Sequence, residues 1–150
     1  MQAALIFLFF WLQQVKTNDR GFLSKDVLVS DLISLRGDIH HLFPKDYLRK
    51  FGLDRSKYNQ IANYVFMQSE INIKVGNKPP KEYFEILLKQ MVDNNRLVSG
   101  LLTEQELLAN LAMNCVPSEI MQMDIDDYPA FLNLRRKLIA TKIKEYYFTL

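Results

Sequence analysis

Seven consecutive residues decide which fold this sequence adopts: DIHHLFP, residues 38–44. They hold both histidines of the chain, side by side and shortly before Pro44. A proline disfavours helical geometry at the residue before it, so the run up to Phe43 is expected to be extended. Neighbouring residues of a strand face opposite sides, so His40 and His41 can do different jobs. Imidazole can act as a base near neutral pH and can ligate a metal.

Outward from this run, the sequence predicts a second strand and then helices. Residues 63–68 (NYVFMQ) are rich in β-forming types, and residues 69–75 read as a helical turn that Gly76 ends. Further helices are predicted over residues 26–35, 45–50, 56–62 and 80–91, then from residue 103 onward, with a long final helix that begins at Asp126 or Pro129. Ser24 and Ser56 are predicted helix N-caps. The expected fold class is therefore α+β and mostly helical.

Composition describes one ordinary globular domain. The chain has 150 residues, 49% of them hydrophobic and 24% charged, with a formal net charge of +2. Residues 36–92 carry ten basic and six acidic side chains, so a basic excess accompanies the histidines. This excess favours a polyanionic substrate, although solvated helix faces have the same composition. The single cysteine, Cys115, excludes an intramolecular disulfide and leaves a reducing cytoplasm as the expected location.

The N-terminus carries an apolar run, AALIFLFFWL, residues 3–12. It is shorter than the roughly 20 residues that span a bilayer, and it lacks the basic region and cleavage site of a signal peptide. No membrane partner is expected. A helix that is apolar all round is buried on every side. We therefore expect residues 1–20 to be the tail of a missing upstream domain, packed on that domain or on a second copy in a homodimer, and residues 21–150 to form the functional domain.

The polar residues in and after the histidine run suit phosphodiester hydrolysis. That reaction needs a base to deprotonate water, and a divalent ion can stabilise the phosphate and the leaving oxygen. One histidine can act as the base while the other faces a metal. Asn72 offers a neutral amide oxygen to the ion, and Asn63 can fix the loop that aims the base. Lys74 and Lys78 can meet phosphate.

These residues resemble the HNH, or ββα-metal (His-Me finger), nuclease superfamily. The resemblance is carried by HHLFP (residues 40–44), Asn63 and NIK (residues 72–74). With GDIHHLFPK (37–45), NQIAN (59–63) and GNKPP (76–80), the chain is similar to one bacterial family in particular. Its members join an N-terminal ParB-like nucleotidase domain to a C-terminal HNH domain. They are related to modification-dependent type IV restriction enzymes that defend against phage.

The resemblance implies a small ββα-metal HNH core embedded in a helical scaffold. It makes His41 the general base and His40 and Asn72 the ligands of one divalent metal. Mg²⁺ is the first expectation, with Mn²⁺ or another transition metal as alternatives. It gives Asn63 the catalytic position that orients the base or braces its loop. Asp38 would accept a hydrogen bond from a histidine N–H, or would simply act as a cap after Gly37.

DNA and the upstream ParB-like domain are the implied partners, with Lys45, Lys74 and Lys78 as DNA contacts. Two departures from the superfamily stand out. The zinc-binding cysteine pairs common there are absent, and the spacer of 22 residues from His41 to Asn63 is longer than in compact members. The leading hypothesis is a metal-dependent DNA endonuclease domain of a cytoplasmic phage-defence restriction protein. The alternatives are a non-cleaving DNA- or partner-binding module with an HNH-like fold, and a structural helical assembly domain.

Overall fold

The computed structural model describes residues 2–35 and 39–150. It is 63% helical and has one small antiparallel sheet of two strands, which confirms the predicted α+β, mostly helical class. Three short 3₁₀ turns, Ile61–Asn63, Ser118–Gln122 and Ile125–Asp127, lie between the main elements. In chain order those elements are α1 (Gln2–Lys16), α2 (Val29–Ser34), β1 (Ile39–His41), α3 (Lys45–Lys50), α4 (Arg55–Tyr58), β2 (Tyr64–Phe66), α5 (Ser69–Val75), α6 (Pro80–Asp93), α7 (Glu104–Met113) and α8 (Tyr128–Tyr147).

The two strands form where the sequence predicts extended chain, and they pair with each other. His41 lies opposite Tyr64 and His40 opposite Val65 in the antiparallel register. The spacer between the strands folds as α3, α4 and a 3₁₀ turn, which returns the chain beside the histidines. The helix α5 follows β2 after two residues. The histidine pair therefore belongs to a strand–strand–helix unit with a helical insertion between its strands.

The helix α5 ends at Gly76, as the sequence predicts. Gly76 has φ +57° and ψ −135°, a conformation that a residue with a Cβ atom adopts only with strain. The chain then turns through Pro79 into α6, whose first residue is Pro80. Asn72 belongs to the last turn and a half of α5, and it lines the same pocket as His40 and His41 at the end of β1.

Two predicted N-caps are wrong, because α2 begins later than expected, with Leu28 as its N-cap, and because Asp54 caps α4. The helix expected from residue 26 begins only at Val29, and the Ser24 hydroxyl instead donates to Gln68 Oε1 at 2.8 Å. The helix expected from Ser56 begins one residue earlier, because the Asp54 carboxylate accepts from the backbone N–H groups that follow it. Helix α7 begins with a capping box, in which the Thr103 hydroxyl accepts from the Glu106 N–H and the Glu106 carboxylate accepts from the Thr103 N–H.

Two buried polar side chains tie the outer helices to the strand–strand–helix unit. Arg135 of α8 is 1% exposed and donates to the backbone carbonyls of Ala62 and Tyr64, on either side of the start of β2. Tyr83 of α6 is equally buried and donates its hydroxyl to the Leu42 carbonyl at 2.9 Å, just past β1. Both bonds hold the small sheet at a defined position on the helical scaffold.

The N-terminal helix α1 contributes one face to the core of this chain. Phe7 and Phe10 are buried there, and Trp11 packs edge-on against Phe66 with ring centroids 5.2 Å apart. The opposite face presents an apolar stripe at helical spacing, which we call the α1 stripe: Leu5, Leu8, Phe9 and Leu12, each 50–53% exposed. Across the described part of the chain, every helix is too short or too polar to cross a membrane.

Candidate active site

Both histidines and Asn72 line one open pocket of about 240 Å³. The end of β1, the start of α3 and the C-terminal half of α5 form its walls. The other residues that line the pocket are Pro44, Lys45, Asp46, Ile73, Gly76 and Asn77. Three of the residues selected from the sequence for base and metal roles are therefore neighbours in space, although Asn72 is more than thirty positions from the histidines along the chain.

His41 is held in place by hydrogen bonding and by aromatic contacts. Its Nε2 lies 3.0 Å from the amide oxygen of Asn59, and its ring stands edge-on to Tyr64 with centroids 5.0 Å apart. The Asn59 oxygen can only accept, so this contact is a hydrogen bond in the tautomer whose proton is on Nε2, and in that tautomer Nδ1 is the basic nitrogen. The amino-acid sequence marks Asn59 only as the first residue of the run NQIAN, residues 59–63, and predicts no role for it.

Three effects act on the pKa of His41. Burial lowers the pKa from its ordinary value of 6.5, the hydrogen bond with Asn59 raises it, and the nearby charge of Lys45 lowers it. The net direction is downward. The imidazole is therefore neutral at pH 7, which is the form that can accept a proton.

Asn63 lies beneath the pocket rather than in it. The side chain is fully buried, and its amide accepts from the Phe43 N–H at 2.8 Å and donates to the Phe43 carbonyl at 3.0 Å. Its own backbone carbonyl accepts from the Leu42 N–H at 2.8 Å. These bonds fix the two residues that follow His41. Asn63 thus matches the loop-bracing role that the sequence suggests, and it acts on the site through the backbone.

The donors that a metal would use are an imidazole and an amide oxygen. His40 and Asn72 line the same pocket, and the carboxylate-bearing Asp46 lines it as well. Two protein ligands leave most coordination positions open to water and substrate, as Mg²⁺ requires in phosphate-processing sites. Within residues 2–35 and 39–150, no group of three His, Cys, Asp or Glu side chains is placed to hold a metal. Asp38, the predicted support for a histidine, lies outside the described residues.

The three predicted DNA-contacting lysines lie on two sides of the pocket. Lys45 is exposed at the start of α3, with its Nζ 5.8 Å from the ring centroid of Tyr58. Lys74 and Lys78 lie at the end of α5 and just beyond it, where the Lys78 ammonium donates to the Lys74 carbonyl at 3.3 Å. Of the three lysines, Lys45 lines the pocket itself, whereas Lys74 and Lys78 are neighbours in sequence of the lining residues Ile73 and Asn77.

Comparison with known proteins finds a similar protein whose description names no function. No family model matches the chain, and no solved structure matches it. The chain is similar to a protein of Methanocaldococcus jannaschii described as "Uncharacterized protein MJ0686". The two are 27% identical over 118 residues, which cover 71% of this chain and 20% of that protein. The chain thus spans about a fifth of the length of this relative.

Proposed function

We propose that this chain is a metal-dependent endonuclease domain of HNH type, which hydrolyses phosphodiester bonds in DNA. The observation that carries the proposal is the pocket that His40, His41 and Asn72 line together. The order of β1, β2 and α5 around that pocket also supports it, because it is the order that the resemblance implies.

In this proposal, His41 accepts the proton of the attacking water. Asn59 keeps Nε2 protonated and turns Nδ1 toward the reacting water, and burial keeps the ring neutral so that Nδ1 can take a proton. Asn63 keeps the backbone after His41 from shifting. Both asparagines are thus positioning residues for the base.

His40 and Asn72 would hold the divalent ion, for which Mg²⁺ is the first candidate and Mn²⁺ the second. When bound, such an ion supplies positive charge to a phosphate oxygen and to the leaving 3′ oxygen. Lys45, Lys74 and Lys78 would bind the flanking phosphates, which carry no sequence information by themselves.

A plasmid-nicking assay with a series of divalent metals tests the proposal. The wild type is expected to nick DNA only when a divalent ion is present. His41→Ala should reduce the rate by roughly 100-fold or more, which is the usual contribution of a general base. If His41→Ala cuts as fast as the wild type, the assignment of the base is wrong.

A matched pair of asparagine substitutions tests the metal site separately. Asn72→Ala removes a proposed ligand, whereas Asn77→Ala removes a neighbouring pocket amide to which no role is given. Asn72→Ala is expected to raise the metal concentration needed for half-maximal nicking at least tenfold, and Asn77→Ala to leave it unchanged. Equal effects of the two substitutions would contradict the assignment of Asn72.

The second candidate function is a binding module that holds DNA or a partner domain without cutting it. Metal-independent DNA binding, with no cleavage in any divalent metal, would favour this candidate over the nuclease. The α1 stripe supports a proposed partner, which is either an upstream ParB-like domain or a second copy of this chain. From the resemblance to the ParB-like/HNH family, we also propose that the domain belongs to a phage-defence restriction protein.

A further inference from the structure

The insertion between β1 and β2, residues 45–58, is the most basic segment beside the pocket. It carries five basic and two acidic side chains. Both carboxylates are engaged within the insertion itself. Asp46 forms an ion pair with Arg49 at 3.3 Å, and Asp54 caps α4 by accepting from two backbone N–H groups. The remaining basic side chains are exposed, two on α3 (Lys45 and Lys50) and two on α4 (Arg55 and Lys57).

This insertion is joined directly to the proposed base. Asn59, at the end of α4, holds the ring of His41, and Tyr58 stands edge-on to the same ring with centroids 6.3 Å apart. Arg55 is one helical turn before these residues. Arg55 directly precedes Ser56, whose backbone carbonyl accepts a hydrogen bond from the Gln60 side-chain amide at 2.6 Å.

Helix α8 adds another cation on the same side. The Arg136 guanidinium donates to Gln60 Oε1 at 3.0 Å, directly after α4 in sequence. Tyr128 at the start of α8 donates its hydroxyl to the Lys57 carbonyl at 2.8 Å, which fixes α8 against the insertion. We call Lys45, Arg55 and Arg136 the insertion flank. Within the insertion flank, Lys45 lines the pocket, and Arg55 and Arg136 lie beside the chain that leads to Asn59. Lys74 and Lys78 lie instead at the end of α5 and just after it.

We propose that the insertion flank binds the phosphate backbone of a nucleic acid, through Arg55 of α4 together with Arg136 of α8. This inference rests on the proposed function for the position of the reacting phosphate, and it adds Arg55 and Arg136 to the three lysines as phosphate contacts. A backbone that runs across the pocket meets cations on both sides, so the scissile phosphate is held between them. Arginine suits this task because its planar guanidinium can donate two parallel hydrogen bonds to one phosphate.

The salt dependence of DNA binding tests this inference. Binding of the full chain to a fluorescent duplex is measured in EDTA, so that no cleavage is needed, over a range of salt concentrations. Each phosphate contact contributes about 0.9 to the slope of log K against log salt for duplex DNA. The double variant Arg55→Gln with Arg136→Gln is therefore expected to lower that slope by about 1.8. The same comparison is made with single-stranded DNA. There the double variant should lower the slope by about 1.4 if one strand supplies both contacts, and by less if the duplex is required.

Two controls separate a phosphate contact from a general effect of charge or folding. Lys89→Gln with Arg96→Gln makes the same change in charge on exposed residues toward the far end of α6, and its slope should match the wild type. Arg55→Lys with Arg136→Lys keeps the charge and should restore most of the slope. Failure of the wild type to bind DNA, an unchanged slope in the Gln double variant, or an equal loss in the control at α6 would each overturn the inference. Binding that behaves as expected in a protein that cuts nothing would overturn the proposed nuclease function alone.

Discussion

At the scale of single residues, the site depends on two asparagines that act in different ways. Asn59 bonds the ring of His41, whereas Asn63 bonds the backbone that follows it. Asn59 therefore affects the protonation of His41, and Asn63 affects where His41 is held. Substitutions can separate these effects, because one changes a titration and the other changes the free energy of unfolding.

The titration of His41 is expected to shift in opposite directions in two variants. In the metal-free protein, its pKa should lie below 6.5, because burial disfavours the imidazolium. Lys45→Met removes a nearby cation that also disfavours the imidazolium, so the pKa should rise. Asn59→Ala removes an acceptor that favours the protonated ring, so the pKa should fall further. NMR titration of the two imidazole signals measures both shifts, with His40→Gln to assign them. Shifts of the same sign would contradict this account.

Asn63→Ala is expected to destabilise the fold by about 3 kcal/mol, because it leaves the buried N–H and C=O groups of Phe43 without their side-chain partners. Urea denaturation measures this loss. The matched control is Asn59→Ala, which removes one bond from a half-buried ring and should cost about 1 kcal/mol or less. Equal costs for the two substitutions would show that Asn63 does not brace the loop.

At the scale of elements, α8 is attached to β2 by a buried arginine rather than by apolar contacts alone. Burial lowers the pKa of Arg135 to about 10, so the guanidinium stays charged at pH 7. Its partners are the backbone carbonyls of Ala62, Tyr64 and Asn114. The sequence pattern does not reveal this role, because arginines are mostly exposed and this one lies beside the exposed Arg136.

Arg135→Met should therefore cost about 3 kcal/mol or more, because three carbonyls lose a charged donor in the interior. The adjacent Arg136→Met changes an exposed side chain and should alter stability by about 0.5 kcal/mol or less. Thermal or urea unfolding of the two variants makes the comparison. If both variants are equally stable, Arg135 does not anchor α8 to the sheet.

At the scale of the whole molecule, α1 joins the same hydrophobic core as the strands and the later helices. Phe7 and Phe10 pack within that core, together with Phe43 and Phe131. The α1 stripe on the other face stays exposed in this chain. The N-terminal segment therefore packs into the core of this domain with one face and leaves an apolar face exposed.

Neighbouring phenylalanines on α1 test this division. Phe10 is 1% exposed and Phe9 is 53% exposed. Phe10→Ala should cost about 3–5 kcal/mol, because it leaves a cavity in the core. Phe9→Ala should cost about 0.5 kcal/mol or less in the isolated chain. Chemical denaturation of the two variants distinguishes them, and a small effect of Phe10→Ala would mean that α1 is not part of this core.

The sequence by itself determined the mostly helical α+β class, both strands and the end of α5 at Gly76. These features follow from local rules: proline geometry, β-forming residue types and glycine at a left-handed position. Only the tertiary structure decided that the insertion returns the chain to His41, that Asn59 holds its ring, and that Arg135 is buried. Those outcomes depend on contacts between residues far apart in the chain, which no local pattern encodes.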